Sequence, residues 1–168
     1  MRMPIFKPNE TVLTIRLRLS SLDPALIESL PWLAAALAPD WKLGDLQHAI
    51  ETHPGVLISD LDANPVGIAV VQLDTPEPGA VSVPFLAIDP GRRFRGLGGE
   101  AGLAMERHIR SRLGTTRLYA PIPDGRGLAV YFWLRLGYRP LVRYESPGPL
   151  VGLTSLGPAG IWMLRDSV

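Results

Sequence analysis

Residues 85–100, FLAIDPGRRFRGLGGE, decide the fold of this chain. An apolar run ends at Asp89-Pro90, and a loop rich in arginine and glycine follows it. Beyond the loop, apolar residues recur at helical spacing as far as Leu113, where Gly114 is a typical helix stop. The stretch therefore predicts a buried strand, a glycine-rich turn and a long helix, in that order.

The turn has the composition of an anion site. Unpaired backbone N–H groups and the positive end of the helix dipole converge at the first turn of a helix. Gly96, Gly98 and Gly99 allow a ligand to approach the backbone closely. Arg93 and Arg95 supply guanidinium groups that suit phosphate oxygens. We expect a pyrophosphate here; the alternative is that the glycines only shape a tight turn.

Residues 96–101 also fit the lenient G-x-G-x-x-[GA] fingerprint of dinucleotide-binding proteins. That fingerprint follows directly on a strand and opens a parallel βαβαβ unit. Here residues 89–94 separate the apolar run from the glycines. A dinucleotide is therefore the less favoured ligand.

Outward from the loop, alternating and helical apolar patterns predict a mixed α+β protein. Short helical pieces are expected over residues 23–53, broken at Pro31 and with Asp40 capping the last, and longer helices over 98–113 and 127–136. The order predicts a mostly antiparallel seven-stranded sheet with one parallel βαβ unit, flanked by helices, and a ligand crevice at the carboxyl end of the fourth strand. The predicted strands are residues 11–19, 55–62, 66–73, 80–88, 116–122, 138–144 and 160–164.

Length and composition predict a single domain over residues 1–168. Hydrophobic residues make up 46% of the chain and charged residues 20%, which is typical of one soluble core. Without cysteine, disulfides and thiolate sites are excluded. The histidines, His48, His53 and His108, lack metal-ligand spacing, so no metal is expected. No signal or membrane segment is evident, so we expect a cytoplasmic protein with no membrane partner.

The net charge of +1 conceals an asymmetry. Residues 1–91 carry 5 Lys and Arg against 11 Asp and Glu, whereas residues 92–168 carry 12 against 5. The C-terminal half should attract an anion, and the N-terminal half could steer a cationic amine into the protein. No aromatic stacking platform interleaves with the basic residues, so nucleic acid is not expected as a partner.

Two motifs resemble those of the GNAT superfamily of N-acetyltransferases. Residues 88–98, IDPGRRFRGLG, are similar to its [QR]-x-x-G-x-[GA] acetyl-CoA loop, and residues 129–138, AVYFWLRLGY, to its A-x-x-[FL]-Y-x-x-x-G-[FY] segment. With the matching order of elements, the resemblance covers roughly residues 11–168. It implies the GNAT fold, acetyl-CoA as co-substrate, and an enzyme in which an amine attacks the thioester directly in a ternary complex.

The resemblance also implies where the co-substrate binds. The backbone of the fourth strand pairs with the pantetheine amides, a backbone N–H near Ile88 polarises the acyl carbonyl, and the glycine-rich loop cradles the pyrophosphate. The cofactor-binding residues that it implies are Leu86, Ala87, Ile88, Arg93, Phe94, Arg95, Gly96, Leu97, Gly98, Gly99, Arg126, Phe132 and Trp133.

The catalytic residues are not defined by the resemblance. Trp133 replaces the tyrosine that commonly protonates the leaving thiolate in this family, and an indole is no general acid near neutral pH. Tyr131 lies two positions earlier and should face elsewhere. Asp124 is the nearest carboxylate for a general base, although capping the next helix suits it better. Either the enzyme relies on proximity, or the domain is a catalytically silent acyl-CoA-binding or regulatory module.

The acceptor is the least defined partner. By the resemblance it enters opposite the co-substrate, between residues 23–53 and 146–159. The early segment contributes Trp32, Trp41, His48 and His53. A small-molecule amine is favoured over a peptide. The apolar loop over residues 148–160 is a candidate surface for a homodimer.

Overall fold

The computed structural model describes residues 4–37, 41–142, 145–148, 150 and 159–167. Within these ranges the chain forms eight strands, four α-helices and two short 3-10 helices. The 3-10 helices are Pro24–Ser29 and Pro90–Arg92. The other elements are β1 (Thr11–Leu13), β2 (Leu17–Ser21), α1 (Leu33–Leu37), α2 (Leu43–Thr52), β3 (Gly55–Asp60), β4 (Pro65–Leu73), β5 (Val81–Ile88), α3 (Leu97–Leu113), β6 (Arg117–Pro123), α4 (Gly127–Arg135), β7 (Arg139–Pro140) and β8 (Gly160–Asp166).

One sheet contains all eight strands in the order β1-β2-β3-β4-β5-β6-β8-β7. Every neighbouring pair is antiparallel except β5 and β6, which are parallel and joined by α3. The last strand, β8, is inserted between β6 and β7. The predicted α+β class, with one parallel βαβ unit in a mostly antiparallel sheet, is therefore confirmed.

Helices cover both faces of the sheet, because its strands have apolar residues on both sides. On one face α3 and α4 bury Ala101, Met105 and Trp133 against β2 to β6. On the other face the first 3-10 helix, α1 and α2 bury residues such as Leu33 and Leu46 against β4 and β5. No helix among the described residues is long and apolar enough to cross a membrane.

The predicted first strand, residues 11–19, is wrong: it is a hairpin, which makes the sheet eight-stranded rather than seven-stranded. Thr11 pairs with Ser20, and the chain reverses over residues 14–16. The N–H of Thr14 donates to the carbonyl of Leu17 at 2.9 Å, and the Thr14 hydroxyl accepts from the N–H of Leu17 at 2.8 Å. Alternation of apolar and polar residues runs through this turn without glycine or proline, so the sequence pattern did not reveal it.

Two further predictions are corrected. The strand expected over residues 138–144 is reduced to β7, although the N–H of Leu141 still donates to the carbonyl of Trp162 in β8 at 2.9 Å; residues 143–144 lie outside the described residues. Asp40, the expected cap of the last early helix, also lies outside them. That helix, α2, begins after Lys42, whose backbone N–H donates to the Asp45 carboxylate at 2.9 Å.

Candidate functional site

A cavity of about 590 Å³ opens where β5 and β6 diverge. The two parallel strands pair only at their start, where Val81 meets Leu118 and Ser82 meets Tyr119. From there onward β5 continues along β4, and β6 continues along β8. The gap lies at the carboxyl end of the strand that precedes α3, where the crevice was predicted.

Prolines explain why the two strands separate. Asp124 donates its N–H to Ala159, on the β8 side. Because backbone groups alternate along a strand, the nitrogens of Pro121 and Pro123 face β5, and neither carries a hydrogen to donate. Pro84 lies on the other side of the gap, where the register between β4 and β5 shifts, a typical place for a proline in a strand. The separation of β5 from β6 could therefore have been predicted from these three prolines in the sequence.

The edge of β5 that faces the gap has unused hydrogen-bonding capacity. Asp89 donates its N–H to Val66 of β4 at 2.8 Å. By alternation the backbone groups of Ala87 also face β4, whereas those of Leu86 and Ile88 face the gap. Of the three residues expected to pair with pantetheine through their backbone, Ala87 therefore directs its backbone groups to β4 instead, although the residue lines the cavity.

The glycine-rich loop closes one end of the cavity. Asp89 caps the short 3-10 helix by accepting from the N–H of Gly91 at 2.9 Å. Gly96 is the N-cap of α3 with φ of 77°, in the left-handed region that favours glycine. The next amides of α3, from Leu97 to Gly99, have no partner one turn earlier in the helix. They point out of the helix N-terminus, as an anion site requires.

Gly98 has a packing role that the sequence did not show. A β-carbon at this position would be 3.3 Å from the ring of Phe132 and 3.5 Å from the side chain of Ile88. Gly102 allows a similar close approach, because a β-carbon there would be 2.9 Å from the side chain of Leu136. The glycines of α3 therefore let α4 pack tightly beside the loop, in addition to exposing backbone.

Arginines dominate the charge around the cavity. Arg93 lines it and donates from Nε to the carbonyl of Ile88 at 3.2 Å, which ties the loop to the end of β5. Arg92 also lines it and forms an ion pair of 3.6 Å with Asp60. Arg126 and Arg135 approach from the two ends of α4. Arg95, which was also predicted to bind the cofactor, does not line the cavity; its backbone carbonyl accepts a hydrogen bond from Arg16 at 2.9 Å.

A partly buried carboxylate anchors the start of α3 to the β1–β2 hairpin. Glu100 accepts from the Thr14 hydroxyl at 2.6 Å, from the Arg16 backbone N–H at 2.9 Å and from Arg16 Nε at 2.7 Å. Burial raises the pKa of Glu100, but these hydrogen bonds outweigh it and leave the pKa below its usual value. Sequence reasoning missed this cluster, because its members are more than 80 positions apart.

The aromatic residues of α4 occupy two environments. Trp133 is buried, with its ring 5.2 Å from that of Phe132 and 4.7 Å from that of Tyr138, and it lines the cavity. Burial raises the pKa of Tyr138, which lies in the core and does not line the cavity. Tyr131 does line the cavity and is exposed at its rim. The expectation that Tyr131 faces elsewhere is therefore wrong.

The remaining residues that were predicted to belong to the site lie partly inside and partly outside the cavity. Asp124 does not line the cavity, and the N-cap of α4 is Arg126, without a side-chain cap, so the capping role predicted for Asp124 is wrong. Of the four early residues, Trp41 lines the cavity; Trp32, His48 and His53 do not. Among the described residues no cluster of His, Asp and Glu could hold a metal ion. The cofactor residues that line the cavity are Leu86, Ala87, Ile88, Arg93, Phe94, Gly96, Leu97, Gly98, Gly99, Arg126, Phe132 and Trp133.

No protein-family profile and no curated protein sequence matches the chain. Solved structures do match it. A Vibrio cholerae protein assigned as a ribosomal-protein-serine acetyltransferase superposes with a TM-score of 0.74 at 17% identity, over 96% of this chain and 99% of that one. A Bacillus subtilis acetyltransferase in complex with CoA gives a TM-score of 0.65 at 14% identity, over 90% and 99% of the two chains.

A third match names the family of the fold. An acetyltransferase of the GNAT family from Staphylococcus aureus superposes with a TM-score of 0.64 at 14% identity, over 89% of this chain and 98% of that one. These likenesses span most of each chain. The protein therefore has the fold of the GNAT acetyltransferases, as its two motifs predicted.

Proposed function

We propose that this protein is an acetyl-CoA-dependent N-acetyltransferase that forms a single domain over residues 1–168. The observation that carries the proposal is the meeting of two features in one cavity: the open edge of β5 and the arginine- and glycine-rich start of α3. A ligand with amides along one arm and phosphates at the end of it fits both. Coenzyme A has this construction, and the Bacillus subtilis neighbour was solved in complex with it.

Each part of the site has a role in this proposal. The N–H and carbonyl of Leu86 would pair with the pantetheine arm as an added strand pairs with a sheet edge. The amides of residues 97–99, with Arg93, would bind the pyrophosphate. The backbone N–H of Ile88 would polarise the acyl carbonyl in the manner of an oxyanion hole.

Transfer by this site needs one proton to reach the leaving sulfur. The acceptor nitrogen bonds to the carbonyl carbon as the carbon–sulfur bond breaks, and the thiolate then takes up a proton. Among the described lining residues, Tyr131 is the only side chain other than arginine with a titratable proton, so it is our candidate donor. Asp124 is outside the cavity and is not proposed as a base.

We also propose, from the resemblance alone, a cytoplasmic homodimer. The loop first considered for the dimer surface lies largely outside the described residues. Sedimentation velocity over a range of protein concentrations measures the mass directly, and a monomer at all concentrations contradicts this part of the proposal.

The proposal is tested by binding first and turnover second. Calorimetric titration with acetyl-CoA should give saturable binding with one site per chain, and pantetheine should bind more weakly because it lacks the phosphates. Release of free thiol is then followed across a panel of amines. Binding with amine-dependent thiol release supports the enzyme. Binding without release on any amine supports the acyl-CoA-binding module instead, and no binding rules out both.

A further inference from the structure

The cavity passes through the sheet and has two chemically different ends. We define the cofactor end as the lining residues of the β5–α3 loop, the start of α3 and α4. The acceptor end lies on the opposite face of the sheet, where α1 and α2 pack. Its lining residues are Ala36, Leu37, Trp41, Phe85 and Leu150.

Every side chain of the acceptor end is apolar. The Trp41 and Phe85 rings lie 4.9 Å apart, and together with Leu37 they are almost fully buried. The prolines of β6 at positions 121 and 123 extend the same surface across the gap. This end therefore offers a ligand contact area and excludes water from it, but supplies no charged side chain among the described residues.

The ionisable groups of the cavity lie elsewhere, and the charged ones among the described lining residues are all arginines. All of them come from the loop before α3 or from α4, at the cofactor end or at the rim. None of the described lining residues is an aspartate, a glutamate or a histidine. The ionisable lining residues are Arg92, Arg93, Arg126, Tyr131 and Arg135.

An ammonium group is poorly accommodated in such a place. Moving a charge into apolar surroundings without a partner costs several kcal/mol, so a buried amine binds preferentially in its neutral form. A polyamine needs carboxylates, and arginines repel it. The sequence-based idea that a cationic amine is drawn into this site is thus not supported by the cavity wall.

Resting on the proposed acetyl transfer, we infer that the acceptor is a small, weakly basic amine that carries an aromatic or alkyl group and enters the site uncharged. Its apolar group packs against the surface formed by Trp41, Phe85 and Leu37, and its nitrogen points toward the open edge of β5. A neutral amine already has its lone pair available, so no general base is needed. After the nitrogen–carbon bond forms and the carbon–sulfur bond breaks, Tyr131 gives its proton to the thiolate and takes up the surplus proton of the nitrogen in return.

Three amines separate this inference from its alternatives on the wild-type protein. Aniline is aromatic and weakly basic, benzylamine is aromatic and strongly basic, and spermidine is a flexible polycation. We expect kcat/KM for aniline to exceed that for spermidine by at least about tenfold near neutral pH. For benzylamine, kcat/KM should rise with pH as the free amine is deprotonated, whereas the aniline profile should be flat. A preference for spermidine, or for an N-terminal peptide, overturns the inference.

Neighbouring alanines in α1 provide a matched test of the apolar lining of the acceptor end. Ala36 lines the acceptor end, whereas Ala35 is exposed and does not. Ala36→Asp should lower kcat/KM for aniline by at least about tenfold, because it places a charge in the apolar wall, and should lower KM for benzylamine, because the new carboxylate binds an ammonium. Ala35→Asp places the same charge on the same helix and should leave both values unchanged. Equal effects of the two variants, or no effect of either, contradict the inference.

The proposed function and the inference fail in different ways. If acetyl-CoA does not bind in the calorimeter, or if no amine of any class is acetylated, the proposed function is wrong and the inference falls with it. If acetyl-CoA binds and spermidine is the best acceptor, only the inference is wrong. Ala35→Asp and Ala36→Asp should both bind acetyl-CoA with the dissociation constant of the wild type. This equality checks that each variant is folded.

Discussion

The two ends of the cavity are built in opposite ways. The cofactor end is dominated by one continuous stretch, from Ile88 to Gly99, that combines backbone amides, glycines and arginines. The acceptor end is assembled from α1, Trp41 before α2, Phe85 of β5 and Leu150, which come from three distant parts of the sequence. A short sequence motif can predict a local arrangement of the backbone. An apolar wall made by tertiary packing has no motif, and it becomes visible only in the folded chain.

The same difference separates the forces at the two ends. Charge-assisted hydrogen bonds and helix-terminal amides would act at the cofactor end, each contributing about 1.5–3 kcal/mol. At the acceptor end, ligand binding is stabilised only by burial of apolar surface, which contributes about 25 cal/mol per Å². Variants at one end should therefore change binding of one substrate and leave the other untouched.

The largest effect is expected from Gly96→Trp, which should abolish measurable binding of acetyl-CoA. Gly96 has φ of 77°, and an indole there would obstruct the helix N-terminus that is proposed to bind the pyrophosphate. Calorimetry measures the loss, and the thermal midpoint reports on folding.

Gly114→Trp is the matched control for this loss. Gly114 caps the other end of α3 with φ of 67°, and no atom lies within 4 Å of a β-carbon built there. Both variants should lose comparable stability, about 1–3 kcal/mol, from the strained backbone. If Gly96→Trp binds acetyl-CoA as the wild type does, the cofactor end is wrongly placed.

A smaller loss is expected from Arg93→Ala. Removing a guanidinium from a phosphate costs about 1.5–3 kcal/mol, so the dissociation constant for CoA should rise about tenfold to a hundredfold. Arg95→Ala is the control, because Arg95 is adjacent but does not line the cavity. Pantetheine affinity should hardly change in either variant. If Arg93→Ala weakens pantetheine as much as CoA, Arg93 acts through the Ile88 carbonyl and not through phosphate.

The contrast between local and tertiary features also explains which parts of the structure could be predicted from the sequence. The parallel βαβ unit and the cofactor loop were predictable, because local patterns carry them. The turn at Thr14 was not, since its stabilising partner Glu100 is remote in sequence. Tyr131 was placed wrongly because an ideal 3.6-residue helix says which way a side chain points but not how wide the neighbouring cavity is. Pro121 and Pro123 marked the splayed strands and could have been used.

Trp133 belongs to the cofactor end, and Trp133→Tyr tests whether a second hydroxyl there, in addition to that of Tyr131, assists release of the thiolate. A phenol can protonate a thiolate at neutral pH and an indole cannot, so we expect kcat to rise by at least about tenfold with KM for acetyl-CoA unchanged. Trp133→Phe is the control, because it makes a similar void beside Phe132 and Tyr138 without a hydroxyl. An equal kcat in both variants means that thiolate release is not assisted from this position.

The smallest effect on acetyl-CoA affinity is expected from Glu100→Gln. This variant tests whether Glu100 positions the start of α3 without contacting the ligand. The carboxylate holds the hairpin against α3 through Thr14 and Arg16. The Arg16 side chain is 48% exposed, so solvent screening reduces the contribution, and we expect a loss of about 1–2 kcal/mol in unfolding free energy. The dissociation constant for acetyl-CoA should rise only slightly, and KM for the acceptor should not change.

The pH dependence of stability identifies this carboxylate. The pKa of Glu100 in the folded protein is below its usual value of 4.5, so its contribution is fully present above that pH. As the pH falls through the lowered folded-state pKa, Glu100 takes up a proton and the contribution is lost. The difference in thermal midpoint between wild type and Glu100→Gln should therefore shrink in acid. A difference that is constant from neutral pH to well below 4.5 shows that the charge of Glu100 does not hold the loop in place.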